Sequence, residues 1–261
     1  MTEYLLERWA YRMRLVAGLM AVLLYFVGPA GANDNVIPPP LPEPVSNNAV
    51  AEITLEGRQY VMSFMGIGPG KTATDIKRSA WLWTSQSGEW AKFPDVPVFG
   101  HAGGIVGDTM IVAGGVGVTG ETDGKREFSA IDQAFKGTIN PANPDEIEWK
   151  ALPSTLGTNR YRMAATGDDS ANRVFFAGGT ARPYNFSCIG YDGQPAEPTG
   201  AVFAFDLEED RWILFDQIQR PPSMDHRGLL RLPDGALITI GGMGPNQQVL
   251  DSITVVEIPS R

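Results

Sequence analysis

Residues Val174–Gly179 read VFFAGG, a short apolar run closed by two adjacent glycines. The same arrangement returns as MIVAGG at Met110–Gly115 and as LITIGG at Leu237–Gly242, with successive glycine pairs 64 and 63 residues apart. A weaker copy, YVMSFMG at Tyr60–Gly66, carries Met65 in the slot of the first glycine, 49 residues before the next. Apolar runs bounded by glycine are strand signals, and their recurrence at such a period marks propeller blades. One supersecondary unit is reused along the chain, and the expected fold class is all-β.

Working outward from each pair gives four blade units, at about 49–97, 98–154, 160–217 and 225–258. In the third, RMAAT at Arg162–Thr166 reads as a first strand, Arg173–Gly178 as the second, Ala201–Leu207 as the third and Arg211–Phe215 as the fourth. The second unit offers His101–Val106, Thr109–Gly114, Glu127–Ile131 and Glu146–Leu152 for the same slots. Trp212 follows Gly178 by 34 residues and Trp149 follows Gly114 by 35, and with Trp90 of the first unit these indoles are expected to pack between neighbouring blades. The fourth unit stops one strand short. Upstream, Asn35–Pro44 reads NVIPPPLPEP, similar to FPDVP at Phe93–Pro97 and ALPS at Ala151–Ser154. This segment is expected to supply the missing outer strand and close the ring, since a bare sheet edge is a liability.

Arg8, Arg12 and Arg14, the apolar run Leu15–Val27 and Ala30-Gly31-Ala32 together read as a signal peptide over 1–32. The expected mature chain, 33–261, is a bacterial periplasmic or secreted protein without stable membrane insertion after cleavage. The net charge of −9 disfavours nucleic acid as a partner. Cys188 is the single cysteine, so no internal disulfide forms and stability must come from packed sheets.

The glycine pair, a spaced aromatic and the downstream tryptophan resemble the kelch repeat over nearly all of 33–261. The segments GHAGGIVGDTMIVAGGVG at Gly100–Gly117, ALITIGGMG and DSITVVEI are similar to the exported bacterial kelch family that includes the N-acetylneuraminate epimerases, which are sialic acid mutarotases. The resemblance implies a propeller acting on, or binding, a sugar in the periplasm. That family usually has six blades, and four units are recognisable here. Where the family carries an acidic residue after one glycine pair, this chain has Thr180, and Arg182 falls in the slot of a family lysine.

In a kelch blade the approach to the innermost strand and the loop between the second and third strands open on one face. His101, Arg160, Arg162, Asp225, His226 and Arg227 fall at such approaches, and Arg182, Tyr184 and Tyr191 fall on the long loop 180–200. Planar hydrogen-bonding groups beside aromatic rings suit a sugar, so His101, Arg160, Arg162, Arg182, Tyr184, Tyr191 and Arg227 are the candidate ligand-binding residues. Asp225 and His226 are the candidate catalytic acid and base for opening a hemiacetal ring. Two function classes stay open: binding of a carbohydrate or envelope protein, and sugar mutarotation or epimerisation. No metal or cofactor is expected, because GIGPGKT at Gly66–Thr72 and the GxGxxG of Gly115–Gly120 lack a following helix pattern. Homo-oligomerisation is compatible with the sequence.

Overall fold

The computed structural model describes residues 37–70, 73–93, 102–123, 125–154, 159–184, 189–190, 192–226 and 228–258. The expected signal peptide, His101, Cys188, Tyr191 and Arg227 lie outside the described residues. The described residues from Pro38 onward belong to one compact unit.

The first sheet holds β1 (Ala49–Leu55), β2 (Arg58–Ile67), β3 (Ile76–Thr84) and β4 (Trp90–Phe93), in that order and antiparallel throughout. In the second unit β5 (Ala102–Val106) and β6 (Thr109–Ala113) are followed by a separate hairpin, β7 (Val116–Thr122) with β8 (Lys125–Ala130). The second sheet then continues with β9 (Ala134–Asn140) and β10 (Asn143–Leu152). The third sheet is β11 (Ala164–Asp168), β12 (Arg173–Ala177), β13 (Val202–Asp206) and β14 (Arg211–Leu214). The fourth is three-stranded: β15 (Leu230–Arg231), β16 (Leu237–Ile240) and β17 (Ile253–Val256). No α-helix occurs among the described residues.

Innermost strands pack in the succession β1, β5, β11 and β15, with large apolar clusters between consecutive sheets. The third sheet is covered on both faces, which is why VFFA and VFAF are apolar without alternation. Val174 and Phe176 face the second sheet, whereas Phe175 and Ala177 face the fourth. Trp212 packs toward the second sheet, its ring 5.0 Å from that of Phe205 and 5.7 Å from those of Phe176 and Phe203. Trp149 packs equivalently toward the first sheet. Both bear out the expectation of indoles between blades.

The glycine pairs join one blade to the next. Gly115 N–H donates to the carbonyl of Arg160 (2.7 Å) and Gly179 N–H to that of Ser223 (2.9 Å), each acceptor lying just ahead of the following unit. All six paired glycines have φ between 61° and 105°, the left-handed region that disfavours a side chain. Met65 accepts the same conformation at φ 57°. Between β5 and β11 the backbones touch so closely that a Cβ on Gly104 would lie 2.6 Å from Gly167 N.

Two expectations are corrected. The third strand of the second sheet is β9, and Glu127 to Ala130 belong to the hairpin instead. A Cβ on Gly137 would strike Ile147 Cδ1 and meet Trp149 Cζ3 at 2.8 Å, so the glycine admits both side chains of β10. Of the segment Asn35–Pro44, residues 35 and 36 lie outside the described residues, and residues 38–44 do not form a fourth strand on the last sheet. They run along the first sheet, where Trp90 Nε1–H donates to Pro39 O (2.8 Å) and Glu43 accepts from Ser79 Oγ and Trp81 Nε1 (3.1 Å). Trp212 Nε1–H donates to Pro153 O in the same way (3.1 Å), just past the end of β10, so the two proline-bearing segments share an acceptor role. The far face of the fourth sheet, with Leu230, Ile240, Ile253 and Val255, is exposed.

Candidate functional site

The inner strands leave a cavity of about 450 Å³ lined by β1, β5, β11 and the segment ahead of β15. That volume lies within the range of small-ligand pockets. Just ahead of three inner strands the chain makes the same local link: Ser46 pairs with Ile67, Tyr161 with Thr180 and Met224 with Met243. The next residue in each case, Asn47, Arg162 or Asp225, is left-handed, with φ of 57°, 54° and 62°. Non-glycine residues rarely adopt this region, and they concentrate where a side chain must be aimed. Repetition across three units makes it a property of the fold that this chain fills with polar side chains.

Arg162 and Asp225 form an ion pair between the third and fourth units. The guanidinium carbon lies 5.2 Å from the centre of the Tyr161 ring and 4.9 Å from that of Tyr184, and the two rings meet edge to face at 5.6 Å. Such contacts favour a cation. Burial works against the Arg162 charge, but Tyr161, Tyr184 and Asp225 outweigh it and hold its pKa above the usual arginine value. Arg162 therefore stays protonated, with its two neighbouring rings already engaged.

His226 lines the cavity wall yet is only 5 % exposed. Its Nε2 lies 2.6 Å from Ser223 Oγ and 3.3 Å from Arg220 Nη2, and the latter donates to Thr239 Oγ1 at 3.1 Å. Burial above all, with the Arg220 charge adding and Asp225 opposing, pushes the imidazole down to about 4. It is neutral at physiological pH. Burial also lowers Arg220, to about 10, and its Nε and Nη1 have no hydrogen-bond partner. The Arg220–Ser223–His226–Thr239 cluster ties the loop ahead of β15 to β16.

Of the residues singled out from sequence, Arg162 and His226 line the cavity, and Tyr184 and Asp225 contact Arg162. Asp225 is paired with Arg162, and His226 Nε2 lies against Ser223 Oγ. Arg182 lies apart, bound to Asp192 (2.8 Å) and to Pro195 O (2.8 Å), where it braces the loop between β12 and β13. Arg160 gives its carbonyl to Gly115 and turns Nη1 toward Asn159 O (2.8 Å), away from the cavity. His101, Tyr191 and Arg227 fall outside the described residues. Asn47 was not among the sequence candidates. It precedes Met65 by 18 residues, whereas Arg162 and Asp225 each precede their first glycine by 16, so a longer first hairpin hides the equivalence. No group of three or more His, Cys, Asp or Glu suited to a metal lies among the described residues.

The solved structure of YjhT superposes on 83% of this chain and on 68% of that chain, with a TM-score of 0.55 and 13% identity. The chain has a distant kelch-like fold. At that identity the likeness concerns fold alone. No protein-family profile matches the chain, and no curated protein matches it.

Proposed function

We propose that this protein is an exported propeller that binds a carbohydrate in its axial cavity. The observation that carries the reading is the trio Asn47, Arg162 and Asp225, three unit-equivalent residues in a left-handed conformation, of which Asn47 and Arg162 line a ligand-sized cavity and Asp225 pairs with Arg162. Asn47, Asn48 and Thr166 add neutral hydrogen-bonding groups to the lining, as recognition of hydroxyls requires. Export rests on the signal-peptide pattern of 1–32. The test is ligand-dependent thermal stabilisation across a panel of neutral, amino and acidic sugars, which follows mass action for a ligand that binds only the folded state. A blank panel removes the carbohydrate reading and leaves an envelope protein as the partner.

A second reading is mutarotation of sialic acid or a related sugar, favoured by the kelch-like fold and by the resemblance of Gly100–Gly117 to the epimerase family. Ring opening needs an accessible acid and base. With His226 buried against Ser223, that work would call on Asp225 released from its pair with Arg162. Addition of the protein to one anomer of sialic acid, followed by NMR, tests it: faster equilibration supports catalysis, and an unchanged rate leaves binding alone.

A further inference from the structure

We infer that two copies of this chain associate, the outer face of the fourth sheet in each packing on the outer face of the first sheet in the other. The argument starts from a repeated slot. Residues one and three places before the first position of each glycine pair point at the next sheet: Phe64 and Met62 toward the second, Ala113 and Ile111 toward the third, Ala177 and Phe175 toward the fourth. All six are at most 3% exposed. In the fourth unit the slot holds Ile240 and Ile238, and Ile240 is 58% exposed. Cross-strand pairing sets Ile253 beside Ile240, and Val255 and Leu230 beside Ile238, so one apolar face spans β15–β17. A contiguous exposed face of this kind marks an interaction surface. Its residues are those with which every earlier sheet meets its neighbour.

The complementary half lies on the first sheet. Residues two and four places before the glycine pair receive the preceding sheet, as Val112 and Met110 do for the first and Phe176 and Val174 for the second. Their equivalents on β2 are Ser63 and Val61, which pair with Trp81 and Trp83. Val50 and Thr54 share that face of β1 and are exposed. The outer strand is also arranged as if a sheet preceded it: Trp212 reaches back to Pro153 O, just past the second sheet's outer strand, and Trp90 makes the same bond to Pro39 O. The chain thus holds both halves of a contact its sheets repeat internally, one at each end of the row, and within one chain the fourth-sheet half stays exposed. A second copy brings the half that each end lacks. Two-fold, reciprocal packing satisfies both ends at once and gives eight sheets, within the range of propellers, whereas an unreciprocated contact would run on as an open filament.

The test is sedimentation equilibrium of the purified protein across a micromolar concentration series, where the mass of a dimer is expected. Ile240→Lys and Val61→Lys put a charge on opposite sides of the same contact, and each should weaken dimerisation by about 30-fold or more while leaving the circular dichroism spectrum unchanged. Thr54→Lys, at an exposed position on the first-sheet face, repeats the second arm should Val61→Lys disturb folding. An equimolar mixture of the Ile240→Lys and Val61→Lys proteins should recover dimers, because one of its two contacts joins two unaltered faces. A monomer at every concentration overturns the inference and assigns the apolar face to another occupant, whether residues ahead of Pro38 or a different protein. A dimer that both first-sheet variants leave intact also overturns it, in favour of two fourth sheets packed face to face, and so does association that grows without limit.

Discussion

Arg162 and Asp225 pair across two successive blade units, and each holds its own backbone in the left-handed region to do so. Their side chains are 17% and 26% exposed, between the regimes of surface and buried pairs. A double-mutant cycle with Arg162→Ala and Asp225→Ala is expected to give a coupling of about 1–2 kcal/mol in urea unfolding. Asp225→Asn keeps a residue that tolerates the left-handed region, so it should lose the charge term without adding strain. Additive single effects would show that the pair aims side chains without holding the units together.

Gly178 and Gly57 both have positive φ, at 71° and 75°, but differ in surroundings. A Cβ on Gly178 would strike Ser223 O and approach Arg220 Nη1 to 3.0 Å, whereas nothing lies within 4 Å of one on Gly57. Gly57→Ala should cost about 1 kcal/mol from backbone strain alone. Gly178→Ala should cost at least about 2 kcal/mol more, because the contact between units has to open. Equal losses would assign the glycine pair to conformation only.

The repeat was legible because its two signals are physical necessities of the blade: apolar strands covered on both faces, and glycine where backbones of neighbouring units approach. VFFAGG carries both. The β7–β8 hairpin was misread because its alternating sequence looks more like a strand than AFKGTIN does. The decisive fact, that Trp149 occupies the space above Gly137, is a contact between residues on different strands. The destination of the proline-rich segment was equally hidden. Its likeness to ALPS records a shared duty as tryptophan acceptor, which a pattern of prolines does not distinguish from an edge strand. For the site, charge singled out Arg162 and Asp225, while Asn47 became visible only when conformation revealed the equivalence.

Glu43 anchors the N-terminal segment through Ser79, Trp81 and Lys77, and the Ser79 hydrogen bond leads in holding its carboxyl below the usual range. Deleting residues 37–44 should expose Trp81 and Trp90, shifting tryptophan emission to the red and lowering the melting temperature. An unchanged spectrum and melting temperature would remove the segment from the fold's supports.

His226 sets a pH dependence. Its folded pKa of about 4 lies below the unfolded value near 6.5, so the unfolded chain takes up the proton first as pH falls. Its contribution is complete above pH ~6.5 and is lost progressively down to about pH 4, by up to about 3 kcal/mol. Urea midpoints at neutral and acidic pH, compared between wild type and His226→Gln, isolate the effect. The variant should show a shallower decline over that window; identical slopes would mean that the imidazole is solvated.

Hydrogen exchange measured with and without saturating glucosamine or N-acetylglucosamine tests most directly whether the axial cavity is the binding site. Protection is expected in peptides spanning Asn47–Ala49, Tyr161–Met163 and Met224–His226, with the loop braced by Arg182 and Asp192 unchanged. Protection confined to that loop, or absent everywhere, would contradict the account.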